Sequence, residues 1–280
     1  MPDIGLLNGE FMPLDQVRVS IEDRGFQFGD GVYEVVRTYG RAPFQLDAHL
    51  ERLERSAYAI GLSMPIHFAQ WKEWVGEGVA RAGYPECKVY MQVTRGVAPR
   101  DHLFPPKTTP TIVMSVREMR PLDPVLCQAG VVVMTMDDLR WGRCDIKSLN
   151  LLPNVLARQR ASEAGAFEAI LLRDDMVTEG AVSNIMMVRG GRVITPLEGV
   201  QILSGVTRRF VLGLARKAGI PVEERNVDLT ELRGAEEVFL TGTTIEVLPV
   251  VRIDDVPVGS GQPGRLTKRL RAFFLEQIAR

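Results

Sequence analysis

Lys147 stands in the run Asp145-Ile146-Lys147-Ser148-Leu149-Asn150, between a predicted strand and a predicted helix. A lysine whose free amine is populated acts as a nucleophile and proton carrier, and burial or a cationic neighbour supplies that state. Taken alone, Lys147 reads as a solvated surface residue. Glu179, in Thr178-Glu179-Gly180-Ala181-Val182-Ser183-Asn184, follows a strand of buried character and on its own reads as a turn carboxylate. Ser204-Gly205-Val206-Thr207 opens a helix, where free N–H groups and the helix dipole favour a phosphate. Leu240-Thr241-Gly242-Thr243-Thr244 follows a strand and offers hydroxyls beside a glycine that permits close approach. Each loop alone is an ordinary cap or turn; together they suggest one anion site.

These residues need elements to hold them. GVYEVVRTY (31–39) predicts a strand that places Tyr33, Val35 and Arg37 on one face. A turn at 40–43 and a short return strand follow. A helix is predicted from Asp47, as N-cap, to Gly61 at C′. Its Leu46, Leu50, Leu53, Ala57 and Ile60 fall within about 40° of one direction at ~100° per residue. Arg52 lies about 120° from the centre of that stripe, while Arg55 points directly away. A second helix is predicted over 68–82, with strands at 88–96 and 111–119. Pro121 and Pro124 bracket the best boundary, giving a small N-terminal α+β domain (1–120), a linker (121–124) and a larger C-terminal domain (125–280). The latter reads as strand 130–136, a loop through Lys147, a helix through 155–165, strand 168–175, a hairpin at 184–196, helix 207–220, strand 236–243 and a C-terminal helix. Strands and helices without regular βαβ alternation favour α+β over a doubly wound sheet. Gly29-Asp30-Gly31 lacks the third glycine of a dinucleotide-binding fingerprint.

Composition narrows the classes. The 280 residues are 45% hydrophobic and 25% charged, with a formal net charge of −1, so a disordered or fibrous chain is excluded. The balance of charge argues against nucleic acid and for a small-molecule protein. Cys87, Cys127 and Cys144 form no C-x-x-C pair, and with His49, His67 and His102 they make no metal-ligand spacing; a cytoplasmic, reducing compartment without a structural metal is expected. No apolar run reaches the length of a membrane span, and the acidic start of the sequence is unlike a secretory leader.

In combination the motifs acquire a meaning that none has alone. Glu179-x-Ala181-x-x-Asn184-Ile185, Ile194-Thr195 and Leu203-x-Gly205-Val206-x-Arg208 resemble the signature of the class IV aminotransferases, the pyridoxal-phosphate enzymes of fold type IV. Within that family the chain is most similar to the bacterial D-amino acid aminotransferases. The resemblance is carried by Glu22 through Val36, His49 through Leu53, Gln92 through Gly96, Pro99-Arg100-Asp101-His102 and Arg143 through Asn150. Three positions depart from the pattern: Met186 where an aromatic is usual, Arg37 where lysine is usual, and Val182 where serine is common.

The resemblance implies a two-domain fold with pyridoxal 5'-phosphate at the domain interface. Lys147 would form the internal Schiff base and shuttle the α-proton, and Glu179 would keep the pyridine nitrogen protonated so that the ring acts as an electron sink. Arg52, the N–H groups of Val206 and Thr207, and Thr243 would hold the phosphate, with Leu203 on the ring face. Tyr33, Arg100 and His102 would trap the substrate α-carboxylate, the last two reaching in from the partner of a homodimer; a guanidinium suits a carboxylate because it binds it bidentately. The implied reaction is transamination between D-amino acids and 2-oxo acids, of the type D-alanine plus 2-oxoglutarate to pyruvate plus D-glutamate. Branched-chain L-amino acid aminotransferases share the fold but usually carry a tyrosine at the position of Leu152 and lack the Arg100–His102 pair. Aminodeoxychorismate lyases and (R)-amine transaminases are further relatives, and the carboxylate trap counts against the amine enzymes.

Overall fold

The computed structural model describes residues 2–279. The chain divides into two units, one formed by residues 1–120 with 146–150 and the other by 121–145 with 151–280. Lys147 therefore groups with the N-terminal residues, not with the C-terminal part in which the sequence order sets it.

The first unit contains β1 (Ile4–Leu7), β2 (Glu10–Pro13), α1 (Arg24–Phe28), β3 (Gly31–Tyr39), β4 (Ala42–Pro43), α2 (Leu46–Ala59), α3 (Phe68–Ala82), β5 (Cys87–Thr94) and β6 (Thr111–Glu118). Its strands form one antiparallel sheet in the order β2-β1-β6-β5-β3-β4. Successive side chains alternate across a strand, so Val32, Glu34 and Val36 of β3 point one way and Tyr33 and Val35 the other. The first set is buried, against α2, whose Leu50, Leu53 and Ala57 share a core with Trp71, Val75 and Val79 of α3. Gly61 ends α2 in the left-handed conformation at φ 62°. There the Gly61 N–H bonds Tyr58 O and the Leu62 N–H bonds Ala57 O, the paired closure of a Schellman motif.

The start of α2 differs from expectation. Gln45, at φ 52°, is the cap residue and its side chain bonds no helix N–H, while Asp47 lies inside the first turn. There its carboxylate favours the helix dipole and pairs with Lys72 Nζ at 2.5 Å. The short α1, absent from the sequence reading, is capped by Asp23, which accepts from the Gly25 N–H at 2.8 Å.

Residues 146–150 add to this unit along the N-terminal half of β3. The Tyr33 N–H bonds Lys147 O, the Leu149 N–H bonds Gly31 O, and Ile146 enters the core. The Lys147 N–H itself bonds Ser56 Oγ of α2 at 3.1 Å. The lysine backbone is thus tied to both β3 and α2.

The second unit contains α4 (Pro124–Ala129), β7 (Val131–Asp137), α5 (Leu152–Glu163), β8 (Glu168–Arg173), β9 (Met176–Gly180), β10 (Asn184–Arg189), β11 (Arg192–Thr195), α6 (Val206–Lys217), β12 (Val222–Glu224), α7 (Leu229–Arg233), β13 (Glu237–Gly242), β14 (Glu246–Ile253), β15 (Val256–Pro257) and α8 (Arg265–Ile278). Its sheet runs β12-β11-β10-β13-β14-β7-β8-β9, with β15 beside β14. The β11–β12, β14–β7 and β7–β8 pairs are parallel and the rest antiparallel. Val133, Ile170, Ile185, Leu240, Leu248 and Val250 supply its core. Met186, in β10, is fully buried opposite Phe239. Among the described residues, no helix is long and apolar enough to cross a membrane.

Candidate active site

In the first unit, the Lys147 ammonium donates to Tyr33 Oη at 3.3 Å and lies 4.3 Å from the centroid of that ring. Tyr33 stacks on Tyr90, with centroids 5.6 Å apart, and the Tyr90 hydroxyl donates to Gln92 Oε1 at 2.6 Å. Burial, with Tyr33 adjacent, pushes the Tyr90 hydroxyl up to about 12, so it stays a proton donor.

On the opposite face of β3, Glu34 is fully buried. Its Oε1 accepts from Arg52 Nε at 2.6 Å and its Oε2 from Arg52 Nη2 at 3.0 Å. His49 Nδ1 lies 2.7 Å from Oε2. Burial alone would raise the Glu34 carboxyl, but Arg52 and His49 hold it well below the usual carboxylate range. Burial instead lowers His49, and the positive charges of Arg52 and Lys147 add to that against the pull of Glu34. Arg52 and His49, three apart on α2, share a helix face, so one carboxylate serves both. Neither Glu34 nor His49 stood out in the sequence as functional, although an acid alternating with valines in a buried strand was a signal. Arg55 is exposed, as the helix phase predicts. Arg37 is buried and donates to Glu86 Oε2 from Nε and Nη2, at 3.2 and 2.7 Å.

Arg100 and His102 behave differently. Both are exposed, on the segment that follows β5. Arg100 lies over the Phe28 ring at 4.4 Å, and the His102 ring is tilted against the same phenyl at 5.4 Å. Among the described residues, neither forms a hydrogen bond or ion pair with Tyr33 or Lys147 of its own chain.

In the second unit, Glu179 is buried at the end of β9. Its Oε1 accepts from Arg140 Nη1 at 2.6 Å and from the Leu203 N–H at 3.1 Å; its Oε2 accepts from Asn184 Nδ2 at 2.9 Å. Asn184 Nδ2 also donates to Leu203 O, so one amide clips the acid to the 203–205 loop. Arg140 in turn binds both oxygens of the buried Asp138, at 2.9 Å each. Burial works against the Arg140 charge, and the bonds to Asp138 and Glu179 more than offset it. Arg140 and Asp138 escaped sequence reasoning, because nothing local in Asp138-Leu139-Arg140 marks a bond to a residue 39 positions on.

The predicted phosphate loops converge on one corner of the same unit. Gly205 is the N-cap of α6, and no side chain caps that helix. A Cβ on Gly205 would collide with Asn184 Oδ1, so glycine is needed for the loop to lie this close to β10. Val206 and Thr207 are buried at the helix start, and Arg208, fully buried, anchors that first turn through Glu198, Glu224 and Pro196 O. Asn184 pairs with Thr241 across β10 and β13, and α6 packs on β13. Thr243 follows in the turn to β14, and the neighbouring Thr241 Oγ1 is buried without a hydrogen-bond partner. Leu203, half-buried, sits between Glu179 and Gly205 in the chain of contacts.

The profile of the amino-transferase class IV family matches residues 31–253. The chain belongs to the class IV aminotransferases. This class IV aminotransferase is 46% identical over 273 residues to a D-alanine aminotransferase of Bacillus licheniformis, across 98% of this chain and 96% of that one. It is 41% identical to the D-alanine aminotransferase of Listeria monocytogenes serotype 1/2a (strain 10403S), again across 98% and 96%. Among solved structures, a T.th. branched-chain amino acid aminotransferase with pyridoxamine 5'-phosphate matches with a TM-score of 0.92 at 29% identity, covering 99% of this chain and 94% of that one. The α+β architecture of fold type IV, expected from the sequence, is the fold of this aminotransferase.

Proposed function

We infer that this class IV aminotransferase is a D-amino acid aminotransferase, exchanging amino and oxo groups between D-amino acids and 2-oxo acids with pyridoxal 5'-phosphate as cofactor. The direction toward D-amino acids is carried by one observation, the near full-length likeness to D-alanine aminotransferases at 41–46% identity. The chain's own residues fit the cofactor. The uncapped α6 N-terminus with the unpartnered Thr241 hydroxyl suits a phosphate. Glu179 offers an acceptor oriented by three donors.

When bound, pyridoxal phosphate accepts the amino group and delocalises the electron pair left at the substrate α-carbon. Lys147 would carry the cofactor through Nζ and, once displaced by the substrate amine, take up and return the α-proton at the same nitrogen, with Tyr33 Oη accepting from it. Glu179 would pair with the protonated pyridine nitrogen. Val206, Thr207, Thr243 and Arg52 would hold the phosphate, and Leu203 would pack on the ring face. Tyr33, Arg100 and His102 would bind the α-carboxylate. The exposure of Arg100 and His102, which among the described residues make no hydrogen bond to their own Tyr33, supports service to a neighbouring copy in a homodimer. A cytoplasmic location is supported by three free cysteines, two of them buried.

Comparison of D- with L-alanine, using 2-oxoglutarate as acceptor, tests the reaction: turnover of the D-enantiomer alone is expected, and equal rates overturn the assignment. Mixing Arg100→Ala and Lys147→Ala subunits tests the sharing. Hybrids are expected to turn over D-alanine with the wild-type KM, which neither the weakly binding Arg100→Ala parent nor the inactive Lys147→Ala parent shows, and a mixture as poor as its parents rejects the dimeric site.

A further inference from the structure

Arg24 is 3% exposed, although it opens the five-residue α1 near the surface. Nothing in the proposed chemistry uses it. Its Nη1 donates to Asp101 O at 2.6 Å and to Leu103 O at 3.3 Å, the two carbonyls that bracket His102. Its Nε donates to Asp30 Oδ2 at 2.8 Å. Its guanidinium lies 4.8 Å from the centroid of Phe28, the ring that Arg100 and His102 also contact.

The surroundings reinforce that hold. Asp30 is also gripped by Arg95, through Nε at 2.8 Å and Nη2 at 3.0 Å, and Arg95 lies over Phe104 at 3.7 Å. The backbone leading into that segment is laid against the start of α1 and the residue before its cap: the Arg24 N–H bonds Gly96 O, and the Ala98 N–H bonds Glu22 O. The Leu103 N–H bonds Asp101 Oδ1, closing a tight turn around His102. A segment of exposed residues, 99–104, is thereby fixed from beneath by two buried arginines that share one aspartate.

We propose that Arg24 is a positioning residue for substrate recognition, setting Arg100 and His102 by holding the carbonyls on either side of His102 and sharing the Phe28 ring. The proposal rests on the reading of Arg100 and His102 as the α-carboxylate trap. Its physical content is geometric. A planar guanidinium can bond two carbonyls and a carboxylate while stacking on a phenyl ring, and an ammonium cannot do all of these. Arg24 acts on the substrate only through the loop, so its loss changes where the trap stands rather than what the trap is.

The holoenzyme carrying Arg24→Lys is compared with wild type by hydrogen exchange over residues 101–104 and by steady-state kinetics with D-alanine. Faster exchange confined to that segment is expected, with KM raised about 10-fold and kcat within about threefold, the pattern of lost binding rather than lost chemistry. Adding Arg24→Lys to Arg100→Ala is expected to raise KM by much less than it does in the wild type, since part of its effect passes through Arg100. Phe28→Leu, a milder change, keeps the test available if Arg24→Lys folds poorly, and about a threefold rise in KM is expected. Unchanged exchange over 101–104 overturns the anchor. A KM effect that adds in full to that of Arg100→Ala, or an equal fall in kcat, overturns the positioning role. Should Arg100→Ala alone leave KM untouched, the carboxylate-trap reading fails, and the exchange data still decide whether Arg24 holds the loop.

Discussion

Two buried clusters, one in each unit, pair carboxylates with arginine in different arrangements. Around Glu34 a single carboxylate serves two bases, Arg52 and His49. Around Arg140 a single guanidinium serves two carboxylates, Asp138 and Glu179, with the half-buried Arg173 reaching Asp138 at 3.3 Å. The first arrangement uses its anion to hold a cation in place, which suits a group offered to a phosphate. The second keeps an anion in place and oriented, which suits a group offered to a protonated ring nitrogen. Buried charges persist only when paired, and each cluster supplies its own counter-ions.

The comparison breaks most sharply at Glu34. Glu34→Gln strands the Arg52 charge in the interior and is expected to cost about 3–5 kcal/mol of stability, measured by urea unfolding of the enzyme. Glu179→Gln, by contrast, leaves Arg140 still bonded to Asp138, and its stability loss is expected to stay near ~1 kcal/mol. Its cost falls on turnover, with kcat down about 10²–10³-fold, the scale of removing one preorganised electrostatic contact. Equal stability losses in the two variants would dissolve the distinction. The smallest effect concerns pH. His49 has its folded-state affinity for protons lowered by burial, so below about 6.5 the unfolded chain binds a proton that the folded one refuses. Stability must then fall as pH drops through that range, and the fall is expected to be shallower in His49→Gln; an identical slope assigns the effect elsewhere.

Local patterns read directly from the chain. The strand at 31–39 and the helix at 68–82 form over the residues expected, because alternation and a continuous apolar stripe each need only their own neighbours. Gly61 ends α2 as predicted, since a left-handed residue there is a local requirement. The start of that helix did not read correctly, because Asp47 resembles a cap until Gln45 is seen to take the left-handed turn. The short α1 and α4 have too few residues to show a period. At the candidate site, the placement of Lys147 was not legible: residues 146–150 leave their sequence neighbours to pair with β3 and Ser56, 91 positions away.

By itself the sequence determined which groups are available and which local elements carry them: an amine at 147, a carboxylate at 179, glycine-flanked loops at 203–207 and 241–244, and the family to which that combination belongs. Tertiary structure alone decided the partners. Glu34 reaches Arg52 across 18 positions, Arg140 reaches Glu179 across 39, and Arg24 reaches Asp101 across 77. Each is a buried charge whose desolvation is tolerable only because folding brings a distant group of opposite polarity to hydrogen-bonding distance, and no local periodicity encodes that meeting.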